Sequence, residues 1–138
     1  MTAIRKQLLE IFAGDEPDYE RAAAMGPSAL PVLRKMVGEN SDLAAQAVCV
    51  AGLQGSRDAL EIIAIVARSD DADLRTSAAG ALGDFAVSCK SSDDLDSAFE
   101  LLTPLLDDPS PTVRRFAQRA AAAFPDGAHH HAGRNAGS

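Results

Sequence analysis

The sequence has no Trp, one Tyr and five Phe, so aromatics are 4% of a chain that is 46% hydrophobic. Alanine therefore carries much of the apolar fraction. That argues for closely packed helices and against a sheet, which draws on β-branched and aromatic residues. Histidine occurs only at His129, His130 and His131. The rest of the chain thus lacks the commonest general base, and no Ser/His/Asp or Cys/His arrangement can form within it. Its two cysteines, Cys49 and Cys89, stand at no metal-site spacing to each other or to a histidine, and free thiols are expected. No run approaches the roughly 20 apolar residues of a membrane helix. A GxxxxGK[ST] phosphate loop is absent, and the acidic stretches SDDAD and LDDPS lack calcium-loop spacing. These acids are expected to cap helices and complement their dipoles. The start, MTAIRKQLLEIF, is charged and amphipathic rather than signal-like, and predicts a cytoplasmic protein.

Charge is present but uneven. The net charge is -7. Between Asp58 and Asp108 twelve acids face three bases (Arg68, Arg75 and Lys90). From Arg114 onward four arginines face Asp126 alone. An acidic body argues against nucleic acid, whose affinity comes largely from basic residues displacing counterions.

What the chain does contain is a repeat. Leu43-AAQAVCVAG, Leu74-RTSAAGALG and Val113-RRFAQRAAA align on their first aliphatic residue, at intervals of 31 and 39 residues. Each has a small residue at its fifth position: Ala47, Ala78 and Ala117. Each has an N-cap type three residues upstream: Asn40, Asp71 and Ser110. Pro111 then suits the first helical position. A second helical run precedes each segment: ALPVLRKMV, ALEIIAIVA and AFELLTPLL. The longer interval implies an insertion around SCKSSDDLDS, residues 88–97. Thr2–Ala13 and Asp18–Met25 read as a short first pair, with Met25-Gly26 matching Ala51-Gly52 and Leu82-Gly83. One such pair cannot bury its apolar faces; a stack can. Ala and Gly would let neighbouring helix backbones approach closely.

GPSALPVL followed by DLRTSAAGALG resembles the HEAT-like repeat family, in the short variety described from phycobilisome lyases. The resemblance covers about residues 8–124. It implies an all-α fold, a right-handed superhelix of about four helix pairs. The pairs fall near 2–26, 27–54, 58–87 and 95–124 of a domain spanning 1–125, and 126–138 is a tail. It implies that Arg75 and Arg114 pair with acids in the turns of adjacent repeats. The first unit departs from the pattern with Ala44 in place of that arginine, the third with Ala121-Ala122 in place of Leu-Gly. Some HEAT-like enzymes bind iron through His-Glu dipeptides, and no such dipeptide occurs here. No metal and no cofactor is expected.

In this family the second helices line the concave side. A wheel of about 100° per residue turns Leu74, Ala78, Ala81 and Leu82 to the core, and Thr76 and Gly80 away from it. Their register equivalents are Ala45 and Cys49, Arg115 and Arg119, and Tyr19 in the first pair. These seven residues predict a partner-binding ridge, small at its centre and flanked by Tyr and Arg, which are favoured interface anchors. The expected role is a non-catalytic protein-interaction module: adaptor, scaffold or inhibitor. Within it, the acidic 58–108 region could instead meet a basic partner by charge. The alternative is a lyase or lyase subunit resembling the bilin lyases, which handles a chromophore or other ligand, with Cys49 as its candidate reactive group. Phe116 and Phe124 mark the last helix as needing cover. The tail is the preferred cover, over a second subunit or further repeats.

Overall fold

A computed structural model describes residues 2–125. The tail and its three histidines lie outside the described residues. Among the described residues eight α-helices follow one another: α1 (Ala3–Phe12), α2 (Tyr19–Ala23), α3 (Leu30–Val37), α4 (Ser41–Gln54), α5 (Arg57–Ala67), α6 (Ala72–Ser88), α7 (Ser92–Leu106) and α8 (Pro111–Ala121). Among the described residues there is no strand. The second helices α2, α4, α6 and α8 pack one on the next, while α3, α5 and α7 form a second row beside them. The molecule is an all-α solenoid.

Short polar residues start the helices by accepting orphan backbone N–H groups. Asn40 Oδ1 accepts from Leu43 N at 2.9 Å, Asp71 Oδ1 from Asp73 N at 2.9 Å, and Ser110 Oγ from Val113 N at 3.4 Å. Ser56 and Ser91 cap α5 and α7 in the same way. The helix α3 lacks a side-chain cap and is led in by a 3₁₀ turn, Gly26–Ala29. Gly26 has φ +79°, a left-handed conformation that stops α2 and redirects the chain. A Cβ on Gly26 would meet nothing within 4 Å, so it is a turn glycine. It does not repeat the packing role of Gly52 and Gly83, although the sequence aligns all three.

The alanine-rich segments form the seams between second helices. Ala47, Ala78 and Ala117 are fully buried. At the α4–α6 seam a Cβ on Gly52 would fall 2.6 Å from the Ala81 carbonyl oxygen; at the α6–α8 seam one on Gly83 would fall 3.2 Å from Ala120 Cα. Larger side chains would hold these rods apart. Between the two rows, Phe85, Leu33, Met36, Ile62, Ile63, Leu82 and Leu102 fill the core.

The expected insertion at 88–97 is not a loop. Only residues 89–91 link α6 to α7. The extra sequence lengthens both helices: α6 has 17 residues against 14 in α4, and α7 has 15 against 11 in α5.

Arg75 reaches across repeats to Asp108. Its Nε and Nη2 donate to the two Asp108 carboxylate oxygens at 2.8 and 3.0 Å, and its Nη1 to the carbonyls of Ser69 and Asp70 at 3.0 Å each. Such a forked, charge-assisted contact fixes orientation as well as distance. Asp108 is the buried charged residue of the core, and the Arg75 guanidinium holds its carboxyl below the usual range. Arg114 differs. Its Nη1 donates to the backbone carbonyls of Asp108 and Pro109, bracing its own turn. One repeat earlier, buried Ala44 replaces Arg75 and Ser69 stands where the next turn has Asp108, so both partners of that bridge are absent together. Arg5–Glu39, Arg34–Glu61 and Arg57–Asp94 make further links between repeats.

Candidate functional site

Along α6, Thr76, Gly80, Asp84 and Val87 follow at four, four and three residues, one stripe of a 3.6-residue helix. On α8, Phe116, Arg119 and Ala123 do the same at and just beyond the helix end. With Cys49 of α4, these residues line a groove of about 530 Å³ running across the second-helix row. Its floor is nearly bare backbone: Gly80, Ala81, Gly83 and Ala120. A Cβ on Gly80 would meet nothing within 4 Å, so this glycine opens space where Gly52 and Gly83 close it.

The walls carry the chemistry. Val87 is 78% exposed, more than any other large aliphatic side chain among the described residues. Phe116 is half-buried, and the Arg119 guanidinium carbon stands 5.3 Å from its ring centroid. This cation–π contact holds the arginine along the wall. Asp84 is open to solvent on one side, yet partial burial raises its carboxyl pKa and no cation offsets it. Among the described residues neither Asp84 nor Arg119 makes an ion pair. The groove therefore holds two opposite charges, on neighbouring rods, that are not spent on each other.

Cys49 is free and half-buried. Burial, and then the Asp84 charge, push its thiol pKa up. A nucleophilic or metal-binding cysteine needs the opposite shift, toward thiolate. Cys89 is buried and donates its S–H to the Ser91 carbonyl at 3.5 Å. Among the described residues no cluster of His, Cys, Asp or Glu is grouped to hold a metal ion, and no helix is long and apolar enough to cross a membrane.

Of the seven ridge residues, Cys49, Thr76, Gly80 and Arg119 line this groove. Tyr19, Ala45 and Arg115 do not. Tyr19 turns edge-on to Phe12, with centroids 5.9 Å apart, and its hydroxyl donates to Gln46 Oε1 at 3.4 Å. Ala45 is half-buried near the start of α4, and Arg115 is exposed outside the groove. Sequence reasoning missed Asp84 and Val87. Extending the Gly80 stripe by four and seven residues reaches both. It also joined Phe116 with Phe124, which go to different places. Phe116 serves the groove, whereas Phe124 is buried edge-on against Phe99 at 5.2 Å. The last pair is thus partly covered by its own final turn.

The family model for HEAT repeats matches residues 27–123, from the 3₁₀ turn before α3 to just beyond α8. No curated protein and no solved structure matches the chain. Capped helix pairs, small-residue seams and a cross-repeat arginine agree with that match, and the chain belongs to the HEAT repeat family.

Proposed function

We propose that this protein is a non-catalytic interaction module, an adaptor, scaffold or inhibitor, that takes a protein partner along the α4–α6–α8 groove. HEAT repeats are commonly protein-interaction modules. The observation that carries the reading here is the groove itself: a bare floor with an exposed Val87 and a Phe116–Arg119 wall. Burying an apolar side chain such as Val87 on association is favourable, and Arg with an aromatic is a common anchor pair. The raised Cys49 pKa supports binding over thiol chemistry of the lyase kind. We take residues 1–125 as one folding unit and its setting as cytoplasmic, which two free thiols suit. Within the predicted ridge, Cys49, Thr76, Gly80 and Arg119 make the contact; Tyr19, Ala45 and Arg115 extend it beyond the groove.

The test is quantitative affinity capture from the native organism with three baits: wild type, Gly80→Trp and Ile65→Glu. Gly80→Trp fills the groove without a clash at Cβ. Ile65 is exposed on α5, in the other row. A partner retained by wild type and Ile65→Glu but lost with Gly80→Trp is the expected result. Equal retention by all three would remove the groove from the function.

A further inference from the structure

Resting on the groove as the interaction site, we propose that its occupant is an amphipathic helix of a partner protein, carrying small residues toward the floor. The same face bears one acid for Arg119 and one base for Asp84, three or four residues apart.

The shape limits the occupant first. Gly80, Gly83 and Ala120 line the groove with little side chain, and the space over Gly80 is open. A rod with Ala, Ser or Gly on its facing stripe approaches such a floor closely, as α4, α6 and α8 approach one another at Gly52 and Gly83. A bulky stripe would stand off it. The charges limit it next. Arg119 is fixed against Phe116 on α8, and Asp84 lies on α6, within about one helical turn along the groove axis by the Gly83–Ala120 contact. Residues three and four apart on a helix are neighbours at a similar spacing. Neither groove charge is ion-paired among the described residues, so each is open to an opposite charge on a visitor. A uniformly acidic or uniformly basic helix would satisfy one wall and be repelled by the other. Val87, beyond Asp84, adds an apolar contact at one end of the groove.

The experiment is selection from a displayed library of helical peptides, randomised on one face, against the full-length chain and three variants: Gly80→Trp, Asp84→Lys and Arg119→Glu. Circular dichroism and thermal melts check that each variant is folded. Wild type should enrich peptides with a mixed acid–base pair and small intervening residues, and Gly80→Trp should abolish their binding. Asp84→Lys should shift the enriched pair to two acids, and Arg119→Glu to two bases. Each wild-type peptide should lose about fivefold in affinity for either charge variant, the scale of one partly exposed ion pair. These shifts do not depend on the direction in which the helix runs. Peptides that need an open Gly80 but show no covariation with the two charges would overturn the charge assignment and leave the groove as the site. Enrichment indifferent to Gly80→Trp would overturn the groove reading itself. A self-association of the chain lost in Gly80→Trp would assign the groove to a second copy and overturn the proposal, as would no enrichment on wild type.

Discussion

Gly80 and Gly83 lie three residues apart on one helix and both line the groove, but only Gly83 also meets the neighbouring helix. At Gly83 the α8 backbone comes so near that an added methyl would touch Ala120; at Gly80 the same methyl would meet nothing. The seam and the groove are thus built from one alanine- and glycine-rich segment. The seam uses smallness to close a gap, and the groove uses it to leave one open. Composition is the same in both, so composition does not separate structure from function here. The angle around α6 does, because one side of it faces α8 and another faces outward.

That contrast can be broken most severely at the closed side. Arg75→Ala would leave the buried Asp108 carboxylate with the Ser110 N–H alone and remove the side-chain donor to two turn carbonyls. A loss of about 3 kcal/mol in urea unfolding is expected. The pH dependence sharpens it. The folded Asp108 pKa is depressed, so its contribution is complete above the ordinary Asp value near pH 4 and fades as the pH falls through the lower folded value. Asp108→Asn should be less stable at neutral pH and flatten this acid limb, and an unchanged slope would count against the bridge.

Gly52→Ala comes next. Its Cβ would sit 2.6 Å from the Ala81 carbonyl oxygen, and backbone must move to admit it. Overpacking of this kind costs about 2 kcal/mol, set against a gain of about 1 kcal/mol in helix propensity. A net loss of about 1 kcal/mol by thermal or chemical melting is expected, despite a nominally better helix former.

The smallest effect has the opposite sign. Gly80→Ala adds a methyl into open space in mid-helix, so propensity should stabilise the fold by up to about 1 kcal/mol. Affinity for a groove ligand should fall little, since one methyl leaves most of the depth. If Gly80→Ala destabilised the fold as Gly52→Ala does, the groove would not be open, and the comparison would collapse.

Much of this was legible before any coordinates. The caps at Asn40, Asp71 and Ser110 were readable because an N-cap is a local event, a side chain meeting a backbone group two or three residues on. The burial of Ala47, Ala78 and Ala117 followed from helical periodicity. The resemblance implied only an acid of an adjacent repeat for Arg75; that the acid is Asp108 came from the structure, since nothing local links residues 33 apart. The site was read less completely. Periodicity gave the direction of Thr76 and Gly80, but not that Tyr19 turns to Phe12 or that Phe116 and Phe124 part company. Those outcomes depend on which side chains neighbouring elements bring within reach.

The sequence by itself determined the helix pairs, their starts and their buried stripes, because hydrogen-bond capping and apolar periodicity act within a few residues. Only the tertiary structure decided which small residues seal a seam and which floor a groove. It also brought Asp84 of α6 and Arg119 of α8 to one groove without an ion pair for either among the described residues. The reason is geometric: the role of a missing side chain is set by what another helix places opposite it.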